Sequence, residues 1–206
     1  MRKVHKMKNM MMVFVAGLMA ALMMFTTGCG VQSLPQGKNS TEAALAEVNN
    51  QYKRRADLIP NLVNVVKGYA KHENETLTQV TEARAKASAA TIDPSKVSPE
   101  QLQKFQEAQG SLSQALGKLM VVVEKYPDLK ADQNFRDLQA QLEGTENRIT
   151  IARQRYIESI KAFNNLVTVP PTSWTNSLMY HFEKMPQWDM TAEEKATAEK
   201  APEVKF

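Results

Sequence analysis

The stretch Phe135–Val167, FRDLQAQLEGTENRITIARQRYIESIKAFNNLV, decides the fold. Within it Phe135, Leu138, Leu142, Thr145, Ile149, Ala152, Tyr156, Ile160, Phe163 and Val167 recur at steps of three and four. That spacing gathers them on one helical face, and sustained over several heptads it is the pattern of long helices packed side by side. Upstream, Leu102, Phe105, Gln109, Leu112, Leu116, Leu119, Val123 and Tyr126 repeat the stripe until Pro127 ends it. The start of that second helix carries a full set of signals. Ser98 can cap, Pro99 takes the first helical position, and Gln101 stands at capping-box spacing.

Further upstream Leu45, Val48, Tyr52, Ala56 and Ile59 lead into Pro60, and the stripe resumes with Leu62, Val66, Tyr69, Leu77, Val80, Ala83 and Ala87. Pro60 removes a backbone donor and disfavours α geometry at Ile59. Thr41–Ala90 therefore reads as one helix kinked near Pro60, or as two helices meeting there. Thr91–Ser98 is a loop by composition, Asp128–Gln133 a short break, and Pro170-Pro171 a stop. Short links make consecutive helices antiparallel neighbours. The expectation is an all-α, antiparallel up-and-down bundle of three long helices, four if the first divides at Pro60. Residues 41–168 form the bundle and 169–206 a tail. In the tail, Trp174, Leu178 and Phe182 stand at helical spacing within Trp174–Lys184. A short helix docked on the bundle is the favoured reading, and a membrane-interface helix the alternative.

The chain of 206 residues carries a formal charge of +4. All of that excess lies in Arg2, Lys3, Lys6 and Lys8, so basic and acidic residues balance from residue 29 onward. A basic nucleic-acid surface is not expected. Those four charges precede the uncharged run Met10–Phe25, the small residues Thr26-Thr27-Gly28 and the single cysteine, Cys29. Sixteen residues of helix rise only about 24 Å, short of a hydrocarbon core of about 30 Å. Residues 1–28 read as a signal peptide. Cys29 has no partner for an intramolecular disulfide, and it resembles the acylated cysteine of bacterial lipoproteins. An uncleaved membrane anchor is the alternative. Both tie the body to a membrane of the bacterial cell envelope, on its periplasmic or extracellular side. Residues 29–40, polar and without periodicity, read as a flexible tether.

Residues for catalysis are scarce. His72-Glu73 opens like a zinc-protease motif, but Thr76 stands where the second histidine belongs, so no metal site and no cofactor are expected. P-loop, dinucleotide and nucleophile-elbow motifs are missing from the sequence. The candidate interaction or kink-defining residues are Arg54, Arg55, Asp57, Pro60, Asn61, His72 and Glu73. Most read as solvated helix surface, with Arg54 placed to pair with Asp57. Asp57 and Asn61 are candidates to satisfy the Ala56 carbonyl that loses its donor at Pro60. Glu73, Gln109 and Thr145 interrupt apolar stripes, as register-setting polar residues do.

The runs Tyr52-Lys-Arg-Arg-Ala-Asp-Leu-Ile-Pro-Asn-Leu-Val, Val66-Lys-Gly-Tyr-Ala-Lys-His-Glu73 and Glu124-Lys-Tyr-Pro-Asp-Leu-Lys130 resemble the signature of the LemA proteins. Leu142-Glu-Gly-Thr-Glu-Asn-Arg-Ile149 and the terminal Ala201-Pro-Glu-Val-Lys-Phe206 are similar to the same family. The likeness covers Ala44–Phe206. It departs at Ile157 and Phe163, where the family usually has Asn and Tyr, and at Pro170, where it has Phe. The resemblance implies an antiparallel helical bundle anchored at its N-terminus to a bacterial membrane, with no catalytic residues. The leading expectation is a non-enzymatic scaffold or adaptor that binds other envelope proteins. A small-ligand module with a cleft near His72 and Glu73 is the alternative, and an enzyme using Asp57 or Glu73 the third.

Overall fold

A computed structural model describes residues 10–19 and 28–188. Most of the expected signal peptide and the tail beyond residue 188 lie outside the described residues. Residues 10–19 are helical and exposed. The remaining elements are α1 (Gly28–Tyr69), α2 (Asn74–Ala89), α3 (Pro99–Val123), α4 (Pro127–Ala131), α5 (Gln133–Thr168) and α6 (Thr172–Thr175), followed by a π-turn over Asn176–Tyr180. No strand occurs among the described residues. The all-α bundle expected from the heptad stripes is present.

Two compact units divide the chain. One joins the chain up to Ser40 with Lys161–Lys184, and the other joins Thr41–Ile160 with the chain from Met185. In the larger unit the contacts give the helix directions. Moving up α1, Thr41 Oγ1 donates to the Ser159 carbonyl and Arg55 pairs with Glu146. Rising numbers on α1 thus meet falling numbers on α5, so the two are antiparallel. Tyr52 meets Phe105 and Arg55 meets Gln109 and Ser113, which makes α3 parallel to α1. The result is an up-down-up-down four-helix bundle.

Its apolar interior has two clusters. The first takes Ile59, Leu62 and Val66 from α1, Leu77 and Val80 from α2, Leu112 and Leu119 from α3, Leu129 from α4, and Phe135 and Leu138 from α5. The second takes Leu45, Val48 and Tyr52, Leu102 and Phe105, and Ile149, Tyr156 and Ile160, with Trp188 packed against it. Most residues of the sequence stripes are buried here, which is the dominant favourable term for such a fold.

The break between the first two helices falls at residues 70–73, not at Pro60. Helical backbone runs through Pro60 because Ile59 and Leu62, both fully buried, hold this part of α1 in the core. After Ala70 the next stripe positions are Glu73 and Asn74, and Gly68 lies one turn earlier. With no apolar face to bury and a weak helix former beside it, the chain turns there at low cost. Ser98 and Gln101 form the expected reciprocal box, Ser98 Oγ accepting from the Gln101 amide and Gln101 Oε1 from the Ser98 amide, both at 3.2 Å. Pro127, expected as a stop, opens the short α4 from its first position. Asp132 caps α5, its Oδ1 accepting from the Phe135 amide at 2.9 Å.

The smaller unit corrects two expectations. Residues 29–40, read as a flexible tether, are helical within α1, and Leu34 is fully buried. A Cβ added at Gly37 would meet Leu166 Cδ1 at 2.8 Å and Phe163 Cδ2 at 3.3 Å, so this glycine lets α1 pack closely on α5. The tail has its expected short helix, Thr172–Thr175 running into the π-turn Asn176–Tyr180, but it ends before Phe182. The chain leaves the π-turn at Tyr180, and His181 adopts a left-handed backbone with φ 55°. The side chain of Asn176 closes this end, donating to the Phe182 carbonyl and accepting from the Phe182 amide, each at 2.9 Å. Phe182 therefore turns inward, stacking on Tyr180 at 5.3 Å, while Trp174 and Leu178 remain exposed.

Candidate functional site

The larger unit has a polar layer between its two apolar clusters, and Arg55 is its centre. Arg55 follows Tyr52 of one cluster and precedes Ile59 of the other, so helical spacing turns it inward. It is 2% exposed. Nη1 donates to Ser113 Oγ and to Glu146 Oε2, both at 3.0 Å. Nη2 donates to the Gln109 carbonyl at 3.1 Å and to Gln109 Oε1 at 2.9 Å. Gln109 is itself buried, and its Nε2 reaches the Ala87 carbonyl on α2 at 3.2 Å. One guanidinium thus ties α1 to α3 and α5, and through Gln109 to α2. Its planar fork supplies several fixed donors, which a lysine ammonium could not place in this way. The Arg55 guanidinium also lies 4.9 Å from the Tyr52 ring centroid. Glu146 is half in solvent, its side chain 54% exposed, which keeps its charge hydrated while it pairs with Arg55.

A second clamp lies on the same helix. Arg84 Nε of α2 donates to the Ala56 carbonyl at 2.8 Å. Ala56 is the residue whose helical partner would be the missing N–H of Pro60. Asp57 and Asn61, expected as the groups that satisfy it, are exposed instead. Arg54 is exposed as well and stands outside the Arg55 cluster. The sequence points to the right carbonyl and to the wrong donor, because the donor comes from another helix.

Glu73 and His72 separate. His72 is exposed in the turn, whereas Glu73 Oε1 accepts from Tyr126 Oη at 3.0 Å and so links the α1–α2 turn to the end of α3. That bond raises the pKa of Tyr126 above its ordinary value. Nearby, Tyr69 Oη donates to Asp132 Oδ2 at 2.9 Å. Asp132 is held below the usual carboxylate range, first by the Phe135 amide and then by Tyr69. Tyr156 is the reverse case: burial alone pushes its pKa up to about 12, and its hydroxyl finds no partner among the described residues. Among the described residues no group of His, Cys, Asp and Glu is placed to hold a metal ion. Cys29 falls in the first turn of α1.

Above Pro60, a groove of about 440 Å³ opens between α1 and α5, lined by Asn61, Asn64, Asn134, Asp137 and Gln141 with Val65 and Leu138. Four carboxamides offer donors and acceptors together. Periodicity marks these positions only as solvent-facing, so their meeting across two helices is not legible in the sequence. Of the lining residues only Asn61 stands out there, through its place beside Pro60.

The chain matches relatives of known name. It is 29% identical over 143 residues to Protein LemA of Metamycoplasma hominis, a match covering 69% of this chain and 60% of that protein. It is 24% identical over 189 residues to magnetosome protein MamQ 2 of Paramagnetospirillum magneticum, covering 83% of this chain and 67% of that one. Magnetosome protein MamQ of Magnetospirillum gryphiswaldense is 26% identical over 136 residues, covering 58% of this chain and 50% of that protein. The matches thus span between half and two thirds of these relatives' lengths. The model of the LemA family matches residues 44–206, beginning one turn before Val48 and running through all four long helices of the bundle; by that match the chain belongs to the LemA family.

Proposed function

We propose that this protein is a membrane-tethered, non-enzymatic scaffold of the bacterial envelope that binds partner proteins through its helical surface. One observation carries the reading: its distinctive buried polar groups are occupied in joining helices. Arg55 spans three helices, Gln109 extends the link to a fourth, and Arg84 repairs the backbone at Pro60. Networks that join helices in this way fix a unique helical arrangement, which a rigid binding surface requires. The anchor is Cys29, which follows the basic and apolar signal segment Arg2–Gly28. Acyl chains on Cys29 would hold it stably, since each buried methylene contributes about 0.8 kcal/mol and two chains suffice. No helix of the described residues is long and apolar enough to cross a membrane.

A photo-crosslinker at Asn64 in cells tests the surface. The expected product is a defined adduct with an envelope protein, and a chain that stays uncoupled contradicts the scaffold. The amide-lined groove favours one further reading, a polar small ligand bound at Asn61, Asn134 and Gln141. A thermal-shift screen separates the two, because a ligand at a hundred times its Kd adds about 2.7 kcal/mol.

A further inference from the structure

The smaller unit leaves an apolar surface where its two chain segments are sewn together. Trp174 is 69% exposed and Leu178, one turn later, 82% exposed. Met179 and Val169 are also more than half exposed. The turn carrying them is not loose. Asn176 is buried and clamps Phe182 from both sides, and Phe182 stacks on Tyr180 and lies 6.1 Å from Phe163. A rigid turn that aims large apolar side chains at solvent calls for an occupant.

The position of that turn identifies one. Tyr180 Oη donates to the Val31 carbonyl at 2.9 Å. Val31 lies two residues after Cys29 and six after the end of the apolar run Met10–Phe25. The exposed turn is therefore bonded to the stretch of chain that directly follows the cysteine read as the membrane anchor. The charge of this unit agrees. Within Gly28–Ser40 and Lys161–Lys184 the charged side chains are Lys38, Lys161 and Lys184 against Glu183 alone. Trp at an apolar–aqueous boundary, in a unit with a net excess of lysine, suits the headgroup region of an anionic bilayer.

We propose that Trp174, Leu178 and Met179 form a lipid-interface foot that seats the smaller unit on the membrane holding its N-terminus. This rests on the tether reading above. The foot shortens the reach of the tether and sets which side of the unit faces the bilayer.

The test uses the full chain reconstituted into vesicles of phosphatidylethanolamine and phosphatidylglycerol, with and without bromine at shallow acyl positions. Trp174 and Trp188 are the two tryptophans. Because Trp174 is exposed, Trp174→Phe leaves the packing intact, and circular dichroism verifies this. The wild-type chain is expected to float with the vesicles and to lose Trp emission to bromolipid, and Trp174→Phe to abolish most of that loss. A second variant, Leu178→Asp, should weaken Trp174 quenching several-fold with flotation unchanged. Flotation without Trp174 quenching, the ring being open to aqueous acrylamide, overturns the foot and leaves the tether standing. Trp174 shielded from both quenchers means that protein covers it, a second copy or residues 10–19, and overturns the foot as well. A chain that does not float removes the tether, and the foot falls with it.

Discussion

Arg84 Nε donates to the Ala56 carbonyl at 2.8 Å, across from one helix to the next, where Pro60 deprives that carbonyl of its own helix's donor. An interior proline costs a helix about 3 kcal/mol or more. Here a charged donor restores the lost bond, and the helix continues. Arg84→Met should therefore destabilise the fold by about 1 to 2 kcal/mol, a fall in Tm of about 2 to 8 °C. In a Pro60→Ala background the substituted residue brings back a backbone N–H for the Ala56 carbonyl, and the cost of Arg84→Met should shrink by at least half. Urea unfolding of the four variants measures the coupling. Equal costs in both backgrounds would show that Arg84 acts elsewhere.

The Arg55 layer predicts an order of sensitivity. Arg55→Met leaves Gln109 Oε1, Ser113 and the Glu146 charge without their donor and should cost about 3 kcal/mol. Gln109→Leu leaves Arg55 Nη2 only the backbone carbonyl of residue 109, strands the Ala87 carbonyl and should cost about 2 kcal/mol. Glu146→Gln, at a half-exposed position, should cost less than about 1 kcal/mol. Chemical denaturation checks the ranking, and a Glu146 variant as damaging as Arg55→Met would contradict it.

How much of this is legible in the sequence follows from which contacts are local. The stripe Phe135–Val167 and the box at Ser98 and Gln101 are properties of single helices, and both appear as expected. Gln109 and Thr145 announce themselves as polar residues in apolar stripes, and both are buried. Arg55 is visible only as one of three consecutive basic residues, since nothing local distinguishes the inward one until its neighbours Tyr52 and Ile59 fix the helix phase. The Arg84 clamp, the amide-lined groove and the packing of Trp188 on Phe105 and Tyr156 join distant segments, and no spacing rule reaches them. The flexible-tether expectation fails because, of residues 31–40, Leu34 alone is buried, too sparse a pattern to register as a stripe.

Asp132 gives a pH signature. Its carboxyl is held below its ordinary value of 3.8 by the Phe135 amide and the Tyr69 hydroxyl. The stability it contributes is present above that value and is lost as pH falls through the lower folded one. Asp132→Asn, which can still cap α5, should show a flatter decline of stability below pH 4. Thermal melts between pH 2 and 5 read this directly, and parallel curves for both proteins would show that Asp132 carries none of the dependence.

Tyr156 predicts a gain. Its buried hydroxyl lacks a partner among the described residues, so Tyr156→Phe should leave Tm unchanged or raise it by a few degrees. Between pH 10 and about 12 an unfolded tyrosine ionises while the buried one stays neutral, so wild-type stability falls through that window. The variant should lack this component. A marked loss of stability at neutral pH would mean that the hydroxyl is bonded after all.

In the proposed scaffold, buried polar residues build the bundle and the exposed amides of the groove meet the partner. Crosslinked partner yield in cells, plotted against Tm for Arg84→Met, Gln109→Leu and Asn61→Ala, tests this division most directly. Arg84→Met and Gln109→Leu should lower yield only as far as they lower Tm, whereas Asn61→Ala should lose most of the yield with Tm within about 1 °C of wild type, as for an exposed side chain. Yield that tracks Tm for all three variants, or that survives Asn61→Ala intact, would contradict it.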